Sequence, residues 1–320
     1  MNTTTEFTSA FTGDRNDLRR SVSVVAPGKV NLQLSIGGLR PDGFHEIVTI
    51  FQAVSLHDDI VARPANGLRL TVEGGNSTDM PLDGSNLAAR AAEVLAVRAG
   101  IAPNVHLHIR KRVPIAGGMA GGSADAAAAL VACSRLWDVR LPAEEILELA
   151  AELGSDVPFT LVGGTAIGTG RGERLRPVAT AGIYHWVFAF DRAGLPTPRV
   201  YQEHDRLRSG GALADLAVSS DLLDALAVAD THQVGRALRN DAEGTVFSLR
   251  PELRRTLNAG LSAGVLGAVV AGTGPTCAFL VSDRQAGREL ISLLAGMGFG
   301  GCYAYGPVTG PLGSGLADGW

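Results

Sequence analysis

Residues 114–137 read PIAGGMAGGSADAAAALVACSRLW, and the fold of the whole chain turns on this stretch. Two glycine pairs, Gly117-Gly118 and Gly121-Gly122, precede Ser123, Ala124, Asp125 and an alanine-rich run. Without a Cβ, glycine reaches positive φ angles and brings its amide close to a bulky group. Further on, Leu130, Val131, Ser134 and Trp137 fall at i, i+1, i+4 and i+7 among good helix formers, uninterrupted by proline or glycine. A helix is therefore expected from Ser123 or Asp125. Its first amides have no partners within the helix and carry the positive end of the macrodipole, so a glycine loop feeding them suits a phosphate. The spacing is neither GxxxxGK followed by Ser or Thr nor GxGxxG, which excludes the Walker loop and the dinucleotide fingerprint. A glycine turn that merely packs a helix against a strand has the same composition, so the rest of the chain must separate the two readings.

Upstream, Val105, Leu107 and Ile109 alternate as a strand does, so the loop joins a strand to a helix. Val30, Leu32, Leu34 and Ile36 alternate in a first strand that starts near Ser21 and ends at Gly37-Gly38. Ile47 to Leu56 reads as another strand region, and Leu68, Leu70 and Val72 alternate again. Ser85 is expected to cap a helix carrying Leu87, Ala91, Val94 and Leu95 that stops at Gly100. His57-Asp58-Asp59 reads as a hairpin turn, and His106 and His108 as a solvated strand face rather than a metal pair.

Downstream, Pro142, Glu144 and Glu145 suit a first helical turn, Ile146, Leu149, Ala150 and Leu153 its buried face, and Gly154 its end. Asp156 follows, held in a turn ahead of Pro158, where by itself it reads as a capping residue. A glycine-rich strand over 163–172 closes the first half. Trp186 to Phe190 reads as a strand, Leu195 to Pro198 as a constrained loop, and 208–245 as helical. A helix from Pro251, a strand over Val265 to Val270, the loop Ala271 to Pro275 and a strand over Cys277 to Val281 follow. Asp283 caps a further helix, and Cys302 to Val308 is a last strand, giving most of a split βαβ layout.

A chain of 320 residues exceeds what one core usually serves, so two domains are expected, over 21–178 and 179–308, between a disordered leader (1–20) and a flexible tail (309–320). The net charge of −4 argues against a nucleic-acid surface, which needs clustered cations. Cys133, Cys277 and Cys302 are odd in number and widely spaced, as free thiols in a reducing cytoplasm would be. No apolar run has the length of a membrane span, and the N-terminal segment lacks the apolar core of a signal peptide.

Three separated segments resemble the superfamily of galactokinase, homoserine kinase, mevalonate kinase and phosphomevalonate kinase, the GHMP kinases. They are Ala26 to Leu32 (APGKVNL), the central PIAGGMAGGSADAA, and Ala271-Gly272-Thr273-Gly274. RPDGFHE at 40–46, LGSDVPF at 153–159 and LPTP at 195–198 followed by Tyr201 are most similar to the 4-diphosphocytidyl-2-C-methyl-D-erythritol kinases. The resemblance implies an α+β, two-domain GHMP kinase fold, with a ribosomal-protein-S5-like N-terminal α/β domain and a ferredoxin-like C-terminal domain. The active site would lie in the cleft between them. It also implies transfer of the γ-phosphoryl group of ATP, with Mg²⁺, to the 2-hydroxyl of a small alcohol that carries cytidine diphosphate, a step in the methylerythritol phosphate route to isoprenoids. The protein would be a cytoplasmic monomer or weak homodimer, binding neither nucleic acid nor membrane.

Site residues follow from the same resemblance. Asp156 matches the catalytic aspartate that accepts or orients the hydroxyl proton, and Lys29 the lysine that keeps that carboxylate ionised. ATP phosphates would sit on Gly117, Gly118, Gly121, Gly122 and Ser123, within a nucleotide loop that also includes Pro114, Ile115, Ala116, Met119, Ala120 and Ala124. Lys111 would touch nucleotide. Asn31, Thr197, Gly272 and Thr273 would contact substrate, Phe44 and Tyr201 would sandwich the cytosine, and His45 would read its edge. Two positions depart from the usual pattern. Phe44 stands where tyrosine is common, and Ala124 replaces a serine whose hydroxyl would help hold the metal. A kinase for another small alcohol, such as homoserine or a phosphomevalonate, would share the loop and the lysine without needing a base pocket. A non-catalytic relative would have lost Lys29 or Asp156, and both are present.

Overall fold

The computed structural model describes residues 21–75, 80–191, 194–208 and 216–313. The expected leader, 1–20, and the end of the expected tail, 314–320, lie outside the described residues.

β1 (Val22–Leu39) and β2 (His45–Pro64) pair antiparallel along nearly their whole length, with register shifts at Pro27/Gly28, Asn31/Gln33 and Ile36/Leu39. Alternation reads β1 as half-buried, but both of its faces are covered, and Asn31, Gln33 and Ser35 are buried alongside Leu32 and Leu34. Buried polar groups need partners. Asn31 Nδ2 donates to Thr49 Oγ1 at 2.8 Å, and Gln33 Nε2 donates to the Ala217 carbonyl at 2.8 Å and to Ser35 Oγ at 3.1 Å.

β2 runs straight through His57-Asp58-Asp59, which corrects the expected hairpin turn. Asp58 is fully buried there, so its polarity marks an internal partner and not a solvated turn. β3 (Arg69–Glu73), β4 (Val105–Arg110), β5 (Thr165–Thr169) and β6 (Arg174–Pro177) extend the sheet. β7 (Tyr184–Phe190) opens a second sheet, but β8 (Arg239–Asn240) returns to pair parallel with β1. The first sheet has the order β3-β4-β2-β1-β8, with β5 on β2 and β6 on β5.

α1 (Leu87–Ala99), α2 (Gly121–Trp137), α3 (Ala143–Leu153) and α4 (Val157–Val162) share one core with this sheet. The alanines of α2 carry that packing: Ala126 to Ala129 are fully buried, and their small side chains let the helix axis come close to the strands. The cap of α1 is Asn86, whose Oδ1 accepts from the Ala88 amide at 2.9 Å, and not Ser85, whose hydroxyl turns to Asp83. Gly100, left-handed at φ 66°, ends the helix as expected.

The second sheet, β11 (Gly300–Gly306), β7, β10 (Cys277–Val281) and β9 (Gly267–Val270) in that order, is antiparallel throughout. With α9 (Glu252–Ser262) and α10 (Arg284–Gly296) it forms the expected ferredoxin-like β-α-β-β-α-β unit. α5 (Thr197–Arg208), α6 (Ser220–Ala227), α7 (Thr231–Ala237) and α8 (Glu243–Leu249) fill the connection after β7. Thr197 and Pro198 are not loop residues but the first turn of α5, where a proline removes no helical hydrogen bond. Val30, Leu32 and Ile50 of the first sheet share a core with Trp186, Phe188 and Leu280 of the second, and Trp186 Nε1 donates to Gln52 Oε1 at 3.0 Å across it. Residues 309–313 are not loose. The Gly310 amide donates to the Val162 carbonyl at 2.9 Å and that of Leu312 to Leu161 at 3.1 Å, along the end of α4.

No helix among the described residues is long and apolar enough to cross a membrane. The three cysteines are free, and burial pushes each thiol up to about 12.

Candidate active site

The glycine loop begins its helix at Gly121, earlier than expected, because glycines without side chains take helical angles when packing favours them. Ala120 precedes it at φ 60°, and no side chain caps the helix, so the first amides are left to whatever enters the cleft. Close approach is the reason for glycine at Gly118: with φ +77°, a Cβ there would lie 1.9 Å from the Ala271 carbonyl oxygen. Gly272, at φ +54°, returns the contact, since its Cβ would meet the Gly118 oxygen at 2.7 Å and Lys29 Nζ at 2.9 Å. The two glycine loops and the first strand, separated by about 250 residues in the chain, are thus in contact at one point.

Lys29 is buried on β1 with its amide donating to the Met119 carbonyl at 3.1 Å. Its Nζ donates to Asn31 Oδ1 at 2.7 Å and lies 3.7 Å from Asp156 Oδ2. Burial lowers the lysine from its ordinary value, and the Asp156 carboxylate opposes that shift. Asp156 stands at the N-terminal end of α4 with its side chain 30% exposed, so it faces both the lysine and the open cleft. The cleft has a volume of about 620 Å³. Its walls include Lys29, Asn31, Asp156, Pro114, Ala116 to Gly118, Ala120 to Ser123, Gly272 and Thr273. Thr197 lines it too, its hydroxyl 2.9 Å from that of Thr273.

Four of the residues expected to meet the nucleotide do not line the cleft: Ile115, Met119 and Ala124 of the loop, and Lys111 ahead of it. Met119 and Ala124 are buried in the cores. Lys111 is turned beneath the loop, where Nζ donates to Asp58 Oδ2 at 2.5 Å and to Asp125 Oδ2 at 2.8 Å. This corrects its expected contact with nucleotide: a buried ammonium needs carboxylates, and two are supplied from β2 and α2. Asp58 Oδ1 also accepts from the amides of Arg112 and Val113, at 2.6 and 2.9 Å. Asp125 Oδ1 is buried with no hydrogen-bond partner. Burial first, and the nearby Asp58 charge after it, push Asp125 up to about 7 against the pull of Lys111.

The folded carboxyl therefore holds its proton to higher pH than the unfolded one, and stability falls as pH rises between 3.8 and about 7. An asparagine cannot ionise. Asp125→Asn is expected to gain on wild type by roughly 2 kcal/mol between pH 5 and 7 in urea unfolding, whereas a pH-independent difference would contradict this linkage.

Phe44, His45 and Tyr201, the residues expected around the cytosine, all line the same cleft. Tyr201 stacks on His45, with ring centroids 4.9 Å apart and planes at 16°, while Phe44 is half exposed with the Arg171 guanidinium 4.7 Å from its ring centre. Each ring thus has one face already covered by a protein group. His45 Nε2 lies 2.8 Å from Asp205 Oδ1. Asp205 and Arg171 line the cleft and were not singled out from sequence. The signal for Asp205 was its place four residues after Tyr201, one turn along the same helix face. Among the described residues no group of three or more His, Cys, Asp or Glu is gathered to hold a metal. His106 and His108 instead share the Thr71 hydroxyl, at 2.8 and 2.9 Å.

Residues 86–164 match the GHMP kinases N terminal domain and residues 222–300 the GHMP kinases C terminal domain. A 4-diphosphocytidyl-2-C-methyl-D-erythritol kinase from Streptomyces avermitilis is 53% identical over 278 residues, covering 87% of this chain and 94% of the relative. The chain belongs to the 4-diphosphocytidyl-2-C-methyl-D-erythritol kinase family. Another such kinase, from Nocardia farcinica, is 52% identical over 291 residues, 90% of this chain and 95% of its own. A crystal structure of 4-(cytidine 5'-diphospho)-2C-methyl-D-erythritol kinase superposes with a TM-score of 0.73 at 31% identity, covering 89% of this chain and 98% of that one. A mevalonate kinase from L. major, 15% identical with a TM-score of 0.71 over 91% of this chain and 96% of its own, shares the fold alone. Membership in the family makes the chain a small-molecule kinase of GHMP type that uses ATP.

Proposed function

We propose that the chain transfers the γ-phosphoryl group of ATP to the 2-hydroxyl of 4-diphosphocytidyl-2-C-methyl-D-erythritol. The observation that carries this is the meeting of Lys29, Asn31 and Asp156 beside the uncapped start of α2, in one cleft. Phosphoryl transfer asks a protein mainly for positioning and charge neutralisation. Amides of Gly121, Gly122 and Ser123 offer oriented dipoles to phosphate oxygens. As the new O–P bond forms and the bond to the leaving ADP breaks, Asp156 accepts the proton of the attacking hydroxyl. Lys29 stabilises the charge on that oxygen and holds Asp156 in place, and Asn31 fixes the lysine. Phe44, His45 and Tyr201, with Thr197 and Thr273, form the side of the cleft that takes the cytidine.

The residues fit a nucleotide-borne Mg²⁺ and not a protein-built metal cage. Mg²⁺ is usually held through substrate phosphates and one or two carboxylates, and Asp156 with the Ser123 hydroxyl are the side chains that would meet it here. When bound, the ion neutralises phosphate charge. One chain completes the cleft, in keeping with a monomer or weak homodimer, and the unpaired thiols fit a cytoplasmic location.

The test is ATP consumption with the cytidine-bearing alcohol, homoserine or mevalonate phosphate offered separately. The cytidine compound is expected to give kcat/KM at least about a hundredfold above either of the others, because its base supplies binding energy they lack. Equal turnover of homoserine would refute the assignment.

A further inference from the structure

The structure places a carboxylate behind the histidine of the proposed base pocket. His45 is buried, its ring is fixed by stacking on Tyr201, and its Nε2 lies 2.8 Å from Asp205 Oδ1. A carboxylate accepts and does not donate, so Nε2 is the nitrogen that carries the proton. In the neutral ring Nδ1 is then an acceptor, and among the described residues no protein group hydrogen-bonds it. We propose that Asp205 is a positioning residue for base specificity: it locks His45 in the tautomer whose free nitrogen accepts from the exocyclic amino group of cytosine and is mismatched to the 4-carbonyl of uracil.

The donors and acceptors on the two bases make this discriminating. Cytosine has a donor at its 4-position, and a pyrimidine with a carbonyl there has an acceptor. The one ring donor of uracil, N3–H, sits where cytosine has an acceptor, so the same pose cannot use it. A site built around one hydrogen bond rejects the analogue that leaves it unmade, because the buried group is then unpaired. Asp205 itself is half exposed and needs no contact with the base. Its effect passes through the imidazole, as a partner on one ring nitrogen fixes the role of the other.

This inference rests on the cytidine-diphosphate substrate proposed above. It is tested by titrating CDP and UDP calorimetrically into wild type, Asp205→Asn and Asp205→Glu, with ADP saturating the glycine loop. Wild type is expected to bind CDP roughly tenfold tighter than UDP. In Asp205→Asn, whose amide can donate to Nε2 and reverse the tautomer, the ratio is expected to fall to within about twofold of unity, with Asp205→Glu retaining most of it and ADP affinity unmoved in both. Nitrogen-15 spectra of histidine-labelled protein are expected to show His45 protonated at Nε2 in wild type and not in Asp205→Asn. A CDP preference indifferent to Asp205→Asn would overturn the inference and leave the substrate reading standing. Failure of wild type to bind CDP would overturn both.

Discussion

Replacing Asp156 with asparagine is expected to lower kcat about a thousandfold, the scale of losing a positioned general base. The asparagine has the same shape and still faces Lys29, so the KM for ATP should stay within about threefold of wild type. The reason is geometric. Asp156 Oδ2 lies 3.7 Å from Lys29 Nζ and shares the cleft with the glycine loop, but it makes no side-chain cap to α4. Its carboxylate pairs with Lys29 and, 30% exposed, also faces the cleft. Steady-state kinetics with thermal unfolding as a control separate chemistry from folding, and a loss of less than about tenfold in kcat would remove Asp156 from the proton path.

Gly118→Ala is the second large effect. Positive φ in a non-glycine residue and overpacking each cost about 1–3 kcal/mol, and here both apply, so a loss of about 4 kcal/mol is expected in denaturant unfolding. The added methyl would sit 1.9 Å from the Ala271 oxygen, and backbone on one side or the other must move. That movement parts the two glycine loops at Lys29, so kcat/KM for ATP is expected to fall about a hundredfold in the folded protein. Gly122→Ala is the control. Its Cβ would meet only Leu87 Cδ1 at 3.5 Å, and its backbone is helical, so stability should change by less than about 1 kcal/mol. Equal behaviour of the two variants would show that close loop contact is not what Gly118 provides.

Residues with local signals were readable from the chain itself. Gly100 and Gly154 end helices where periodicity stops, Asp283 caps α10, and the alternation in β1 and β4 marks strands. Lys29, Asp156 and the glycine loop were readable as motifs, and the fold brings them into one cleft. What was not readable depends on partners far away. Asp58 looked like a turn residue because its partner, Lys111, is 53 positions on, and Lys111 looked like a ligand contact because its two carboxylates were unknown. Tyr201 was expected beside a base from its motif alone, but its stacking on His45 and the contact of Asp205 with that ring required the phase of α5. Reading Thr197 and Pro198 as loop hid that phase.

The most direct test of phosphoryl transfer in this cleft is phosphorus-31 NMR of wild-type protein mixed with ATP, Mg²⁺ and 4-diphosphocytidyl-2-C-methyl-D-erythritol. A new phosphate monoester coupled to the carbon at position 2, formed in step with ADP, is the expected result. Release of inorganic phosphate with no new ester, or an ester at another hydroxyl, would contradict it.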